Sequence, residues 1–410
     1  MRYDSSSSSF ITTASYFFRS MFSPITASVP GQRHPANQRH PANQRHPANQ
    51  RHPANQRHPA NQRHTAGHRR SGCPFACLLG AALVAAGCTQ IQDVRELVDG
   101  DLHPPALIGA ELVDPTTVEI RLNKEARAVV EAFRLEPAET IRVSEEPGHT
   151  LIVHFEEDTE PGTRYTLAGA AEDADGNSLQ FVVYLYGHNP EIPDLQINEF
   201  STRRSANHPE IIELLVLEDG NLGGVTVTNG TSRDFDNRYV FPGVTVSAGE
   251  YVLVHFRPEG EDYEIDELGS NLAESGGLNA HPEARDVWVE GGSGLPSNNG
   301  VAAVYRTPGG DPIDAVAWTN RTRESDDRYR GFGSTRMLNW VEDLVRENAW
   351  VVEGAVAWPE DLIYIDDSTA TRSMNRTPGA PNTRTRNDWH TAPTSGSSWG
   401  EENTTDRYMP

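Results

Sequence analysis

Two strand-borne carboxylates, Glu199 and Glu213, a scatter of histidines and three cysteines are the residues of this 410-residue chain that could do chemistry. Two carboxyls held side by side can divide the work of acid and base. Glu199 sits in Leu195-Gln196-Ile197-Asn198-Glu199-Phe200 and Glu213 in Glu210-Ile211-Ile212-Glu213-Leu214-Leu215, both apolar and strand-like. After residue 100 the histidines are His103, His149, His154, His188, His208, His255, His281 and His390, and none has the spacing of a metal pair. His154 and His255 fall in alternating strands and are expected on solvated strand faces. Asp173-x-Asp175-Gly176-Asn177 departs from a calcium loop, because Gly176 follows Asp175 directly and Val182 stands where Glu is needed. It reads as a turn. The sequence is read as holding no nucleophile elbow, zinc-protease or phosphate-loop motif. No catalytic residue, nucleophile, metal or cofactor is assigned, and the chain is read as a non-enzyme.

The chain carries 35 basic and 58 acidic residues. Ten arginines and one acid, Asp4, precede Cys88, so residues 88–410 hold 25 basic against 57 acidic residues. Nucleic-acid binding needs clustered Lys and Arg, so a nucleic-acid partner is excluded. An acidic surface of this kind favours basic partners.

Arg69-Arg70, an apolar run from Pro74 and the stretch Leu83-Val84-Ala85-Ala86-Gly87-Cys88 stand in the order of a secretory signal. With Cys directly after small residues, the stretch resembles a bacterial lipoprotein signal, although Ala85 occupies a position where Leu is usual. The resemblance implies cleavage before Cys88, lipidation of its thiol and stable attachment by more than one acyl chain. Thr89, in place of Asp, points within that resemblance to the outer membrane over the inner one. Cys73 and Cys77 would leave with the signal, and no disulfide would remain.

The hexapeptide Gln-Arg-His-Pro-Ala-Asn runs five times from Gln32, and Gln62-Arg63-His64 begins a sixth copy. Each copy has one Pro and no large apolar residue, so residues 1–67 are expected to be disordered. Residues 68–87 are read as the signal peptide and 88–103 as a polar, lipidated tether.

Residues 104–188 read as a small all-β domain. Val118-Glu119-Ile120-Arg121-Leu122 and Leu151-Ile152-Val153-His154-Phe155 alternate with period two, and further strands are expected at Tyr165-Thr166-Leu167 and Phe181 to Tyr186. Glu160-Pro161-Gly162-Thr163-Arg164-Tyr165 and Asp173-Ala174-Asp175-Gly176-Asn177 make the segment similar to bacterial Ig-like modules.

After a short linker, 189–192, a second set of strands opens at Leu195. It continues through Tyr239-Val240-Phe241, Tyr251-Val252-Leu253-Val254, Val301-Ala302-Ala303-Val304-Tyr305 and Ile313-Asp314-Ala315-Val316. It closes on Ser373-Met374-Asn375-Arg376-Thr377-Pro378-Gly379-Ala380-Pro381-Asn382. In this order the segments resemble the lamin-tail domain, an Ig-like sandwich, over 193–383. That resemblance makes Glu199 and Glu213 framework positions. Residues 257–297 and 319–372 are read as insertions, the second with a helix over 335–350 from the spacing of Leu338, Val341, Leu344 and Val345. Trp340, Trp350, Trp358, Trp389 and Trp399 are read as core or edge covers, and the polar stretch 384–410 as disordered.

The expected fold is all-β: two Ig-like β-sandwich domains after a disordered N-terminal repeat and a lipoprotein signal. The implied function is that of a non-catalytic lipoprotein of the cell envelope, facing the periplasm or the cell surface. It would act in binding, adhesion or scaffolding, held to the membrane by its lipid, with a protein or glycan as ligand. The alternative is an accessory module of an extracellular hydrolase system, or a weak hydrolase with Glu199 and Glu213 as its acid pair.

Overall fold

A computed structural model describes residues 101–137, 140–208 and 210–410. The fold over these residues is all-β, with several sheets and one α-helix. The hexapeptide repeat, the signal, Cys73, Cys77 and Cys88 lie outside the described residues.

The first domain is organised by one long strand, β2 (Thr117–Ala128). Its first half pairs with β1 (Leu107–Asp114) and β5 (Gly148–Phe155), and β4 (Ile141–Val143) adds to β5. Its last residues, Arg127 and Ala128, pair instead with β6 (Arg164–Glu172), which also carries β3 (Arg134–Glu136) and β7 (Ser178–Tyr186). The register shift between Arg121 and Ala126 is where the strand passes from one layer to the other. Val118, Ile120 and Leu122 alternate inward, as a half-buried strand requires, and meet Leu151, Val153, Phe133, Leu135, Leu167 and Phe181 in one core.

The acidic turn between β6 and β7 holds no metal-ligand cluster. Asp173 Oδ1 accepts from the backbone N–H of Asp175 at 3.1 Å and of Asn177 at 2.9 Å, and Gly176 takes φ +83°. Lys124, the sole lysine, places Nζ 2.5 Å from Asp173 and 2.9 Å from Asp101. The Lys124 bond holds the Asp173 carboxyl down at about 2.

The two domains meet without a free hinge. Asn189 Nδ2 donates to the carbonyls of Asn221 and Gly223 at 2.7 and 2.8 Å. A Cβ at Gly223 would lie 2.7 Å from Pro161, so the close approach requires glycine there.

The second domain is two sheets face to face. One has the order β12-β11-β16-β17-β18: β12 (Phe235–Val240), β11 (Thr226–Gly230), β16 (Asn299–Tyr305), β17 (Pro312–Thr319) and β18 (Ile363–Tyr364). The other runs β15-β14-β9-β8-β19-β20: β15 (Arg285–Trp288), β14 (Tyr251–His255), β9 (Ile211–Val216), β8 (Leu195–Ser201), β19 (Met374–Arg376) and β20 (Trp389–Thr391). A small ribbon, β10 (Gly220–Asn221) with β13 (Thr245–Val246), lies beside them. Phe200, Phe241, Tyr305 and Trp318 are among the largest side chains of the core.

The helix α1 spans Thr335–Arg346. Ser334 Oγ accepts from the Met337 N–H at 3.1 Å and caps its start. Met337, Trp340, Val341 and Leu344 are buried in the sandwich core. Arg336 lies over the Trp340 ring and pairs with Asp234 and Asp236, and Trp340 Nε1 donates to Asp234 at 3.0 Å. Trp350 and Trp389 are also buried, which fits tryptophans as core covers.

Three expectations need correction. Residues 257–297, read as a Gly- and Glu-rich insertion, contain a strand the sequence did not show: β15 pairs in parallel with β14 and completes the six-stranded sheet. Residues 319–372 likewise supply β18, parallel to β17, as well as α1. Residues 384–410 are ordered: β20 pairs with β19, and the stretch after it is held by hydrogen bonds to buried groups of β8 and β9. Trp340→Ala should cost about 3–5 kcal/mol in urea unfolding, because it removes a buried ring and a hydrogen bond. Amides of α1 should lose hydrogen-exchange protection before those of β16.

Candidate functional site

The inner face of the six-stranded sheet is apolar, as a sandwich core requires, whereas its outer face is largely polar and still buried. Ile212, Leu214, Val252 and Val254 point into the core. Alternation therefore turns Glu213 and His255 outward, and the register break between Ile197 and Glu199 turns Glu199 out beside them.

Glu199 and Glu213 face each other across β8 and β9, and both are 0% exposed. Glu199 Oε2 accepts from the Ser398 N–H at 2.9 Å and from Ser398 Oγ at 2.7 Å. Glu213 Oε1 accepts from Asn198 Nδ2 at 2.7 Å, and Oε2 accepts from the Gly400 N–H at 2.6 Å. Among the described residues neither carboxyl forms a salt bridge. Burial lifts Glu199 to about 7 against the pull of its Ser373 and Ser398 hydrogen bonds. Burial, and next the facing Glu199, raise Glu213 well above the usual carboxylate range.

The predicted carboxylate pair is thus brought together, but it is sealed beneath residues 392–403. Acid–base work on a substrate needs the carboxyl within hydrogen-bond reach of the reacting group. Both carboxyls here have their oxygens engaged by the chain itself.

Gly396-Ser397-Ser398-Trp399-Gly400 was missed at the level of sequence, although it spells the Gly-x-Ser-x-Gly of a nucleophile elbow. An elbow stands on a strand-to-helix turn, and this stretch follows β20 with no helix after it. Ser398 Oγ donates to Glu199, lies 3.1 Å from Asn403 Oδ1 and accepts from Asn375 Nδ2 at 2.9 Å, so it is bound structurally.

His255 corrects another expectation. It is fully buried, not solvated: loop 257–284 folds over it, its ring stacks on Trp288 with centroids 3.8 Å apart, and Nε2 lies 2.6 Å from Asp286 Oδ1. Asp286 Oδ2 accepts from the His281 N–H at 2.8 Å. Glu267 anchors the loop by accepting from the N–H groups of Glu274, Ser275 and Asp286. His154 is exposed, as expected.

The closing motif is explained by a second buried cluster. Arg376 on β19 lies 2.8 Å from Asp314 on β17, so the pair joins the two sheets. Arg376 Nε donates to the Ile197 carbonyl at 2.7 Å and Nη1 to Asn382 Oδ1 at 3.0 Å, and its guanidinium lies over Trp389 at 4.6 Å. Asp314 also accepts from the Ile197 N–H and from Asn382 Nδ2. Asn403 Nδ2 donates to the carbonyls of Asn198 and Arg376. Only the spelling of the motif around Arg376 hinted at this role.

A family-model match falls on this domain. A family model described as the TP_1001 protein second domain matches residues 193–391, from just before β8 to the end of β20. An uncharacterized protein of Treponema pallidum (strain Nichols) is 31% identical over 211 residues, which is 51% of this chain and 52% of that protein. The chain therefore spans about half the length of that relative. A DUF4876 family protein from Bacteroides thetaiotaomicron VPI-5482 has 12% identity and a TM-score of 0.25, covering 66% of this chain and 89% of that one. The N-terminal part of the bacterial S-layer protein SbsC has 14% identity and a TM-score of 0.20, covering 41% and 37%. Both scores lie below the level at which two chains share a fold.

His255→Phe keeps the volume and the stack on Trp288 but strips Asp286 Oδ1 of its partner. It should cost about 1–3 kcal/mol at neutral pH in chemical unfolding. A cost near zero would mean that the His255–Asp286 bond does not hold the loop.

Proposed function

We propose that this protein is a lipid-anchored, non-catalytic component of the cell envelope. It binds or scaffolds through two β modules, the first Ig-like and the second of the lamin-tail kind. The observation that carries this reading is the fate of its best catalytic candidates. Glu199, Glu213 and Ser398 satisfy one another and the chain around them, and both carboxyls are shut away from solvent. Residue types that could run acid–base or nucleophilic chemistry are spent on fastening residues 392–403 to the outer face of the sheet.

The order of basic pair, apolar run, small residues and Cys88 supports the anchor. Surface recognition is supported by Ile108 on β1 and by Val182 and Tyr184 on β7, which stand exposed on the first module, Tyr184 at 64%. Val182 and Tyr184, two apart on β7, share one exposed strand face, the kind of apolar face on which recognition can be built.

The test is expression of the full chain and of Cys88→Ala in a bacterial host, followed by fractionation and intact-mass measurement. The wild type should extract from membranes as a chain starting at Cys88 and carrying acyl mass, and Cys88→Ala should lose the lipid and leave the membrane fraction. A wild type that retains the hexapeptide repeat, or a variant that stays in the membrane fraction unchanged, would contradict the anchor.

A further inference from the structure

Residues 392–403 lie across the outer face of the six-stranded sheet as a strap. The strap grips the Glu199–Glu213 pair through neutral donors: the Ser398 N–H, Ser398 Oγ and the Gly400 N–H. Between these contacts Trp399 packs, with Tyr251, against a small apolar cluster of Ile211, Leu253 and Ala284. Asn403 fastens the far end to Asn198 and Arg376.

The other groups around the pair supply no counter-charge. From β8 comes Asn198, and from β19 and the residue just before it come Asn375 and Ser373, all neutral. From β14 comes Tyr251, whose hydroxyl is pushed up by burial and then by Glu213, Glu402 and Glu401. The strap's own Glu401 and Glu402 add negative charge. His281 sits against Gly400, where no Cβ would fit. His255 further along the sheet is bound to Asp286, and His390 on β20 contacts the Thr404 carbonyl at 3.0 Å.

Two carboxyls opposite each other, out of water and without a cation, cannot both ionise without a large desolvation and repulsion cost. Removing the proton from the pair places that cost directly beneath the strap. Lifting the strap admits water and removes it.

We propose that residues 392–403 form a proton-operated strap, closed over Glu199 and Glu213 while the pair holds a proton and released when both carboxyls are ionised. Release uncovers the two carboxylates together with the Ile211, Leu253 and Ala284 cluster, an acidic face with an apolar centre. The raised position of both carboxyls sets the direction. The folded state binds protons more tightly than the unfolded chain, so the strap's stability is full below the ordinary carboxylate range. It falls as pH rises through the raised range of the pair: Glu199, lifted to about 7, gives up the first proton, and release follows above that, where Glu213, held well above the usual carboxylate range by burial and the facing Glu199, ionises too.

The test is hydrogen exchange of the full chain read by mass spectrometry at about pH 6 and about pH 9, with rates corrected for intrinsic exchange. In the wild type, protection of residues 395–403 should fall at least about tenfold at the higher pH, while β9 and β16 keep theirs. Glu199→Gln/Glu213→Gln should hold its strap protection at both pH values. A measurement on the wild type alone guards against a variant that fails to fold: the infrared band of a protonated carboxyl should vanish in step with strap opening. Strap protection that is independent of pH in the wild type would overturn the proposal. So would an equal loss in the Gln variant, or opening without loss of the carboxyl band.

Discussion

The second domain depends on one buried ion pair that crosses its core. Arg376 belongs to the six-stranded sheet and Asp314 to the five-stranded sheet, and both are almost wholly out of water. Such a pair is stable only if each remaining donor and acceptor finds a partner. Here Ile197, Asn382 and Trp389 provide them, and the rigid guanidinium fork serves several partners from one position. Ordering Arg376 therefore orders β19, the turn carrying Asn382 and the strand β20.

Placement of β19 has a further consequence on the other face of the sheet. It brings Ser373 and Asn375 beside Glu199, and through β20 it delivers the segment that covers Glu213. A sheet face bearing two glutamates would ordinarily face solvent. In this domain it is roofed by residues 392–403 on one side and by loop 257–284 on the other. Residues 392–403 are held both by hydrogen bonds to the two glutamates and by Trp399 packed on Ile211, Leu253 and Ala284. While the roof is closed, the glutamates and Ser398 are engaged by the chain itself.

Much of the strand content was legible because alternation is a local property. Val118 to Leu122 and Leu151 to Phe155 lie within β2 and β5, and the spacing of Val341 and Leu344 lies within α1. His255 was misread because alternation tells which face a side chain takes, not whether that face is wet. The stretch after Thr383 was misread for a related reason. Its Ser- and Gly-rich composition offers no core, and its order comes from partners 187 to 205 residues away in sequence. The Asp314–Arg376 pair, 62 residues apart, was equally invisible, although its motif was visible as a resemblance. Local pattern located the strands of the site, while its satisfaction, charge and cover are products of tertiary packing.

The most direct test of this account is a double-mutant cycle on Arg376→Met and Asp314→Leu, read by urea unfolding of the full chain. The cross-sheet pair predicts that each single variant costs about 3–5 kcal/mol, Arg376→Met by leaving Asp314 buried without its cation and Asp314→Leu by leaving Arg376 with only Asp388, at 3.5 Å, as a carboxylate partner. The double variant should cost clearly less than the sum of the two. Single costs below about 1 kcal/mol that simply add would show that the two sheets are held without this pair and would contradict the account.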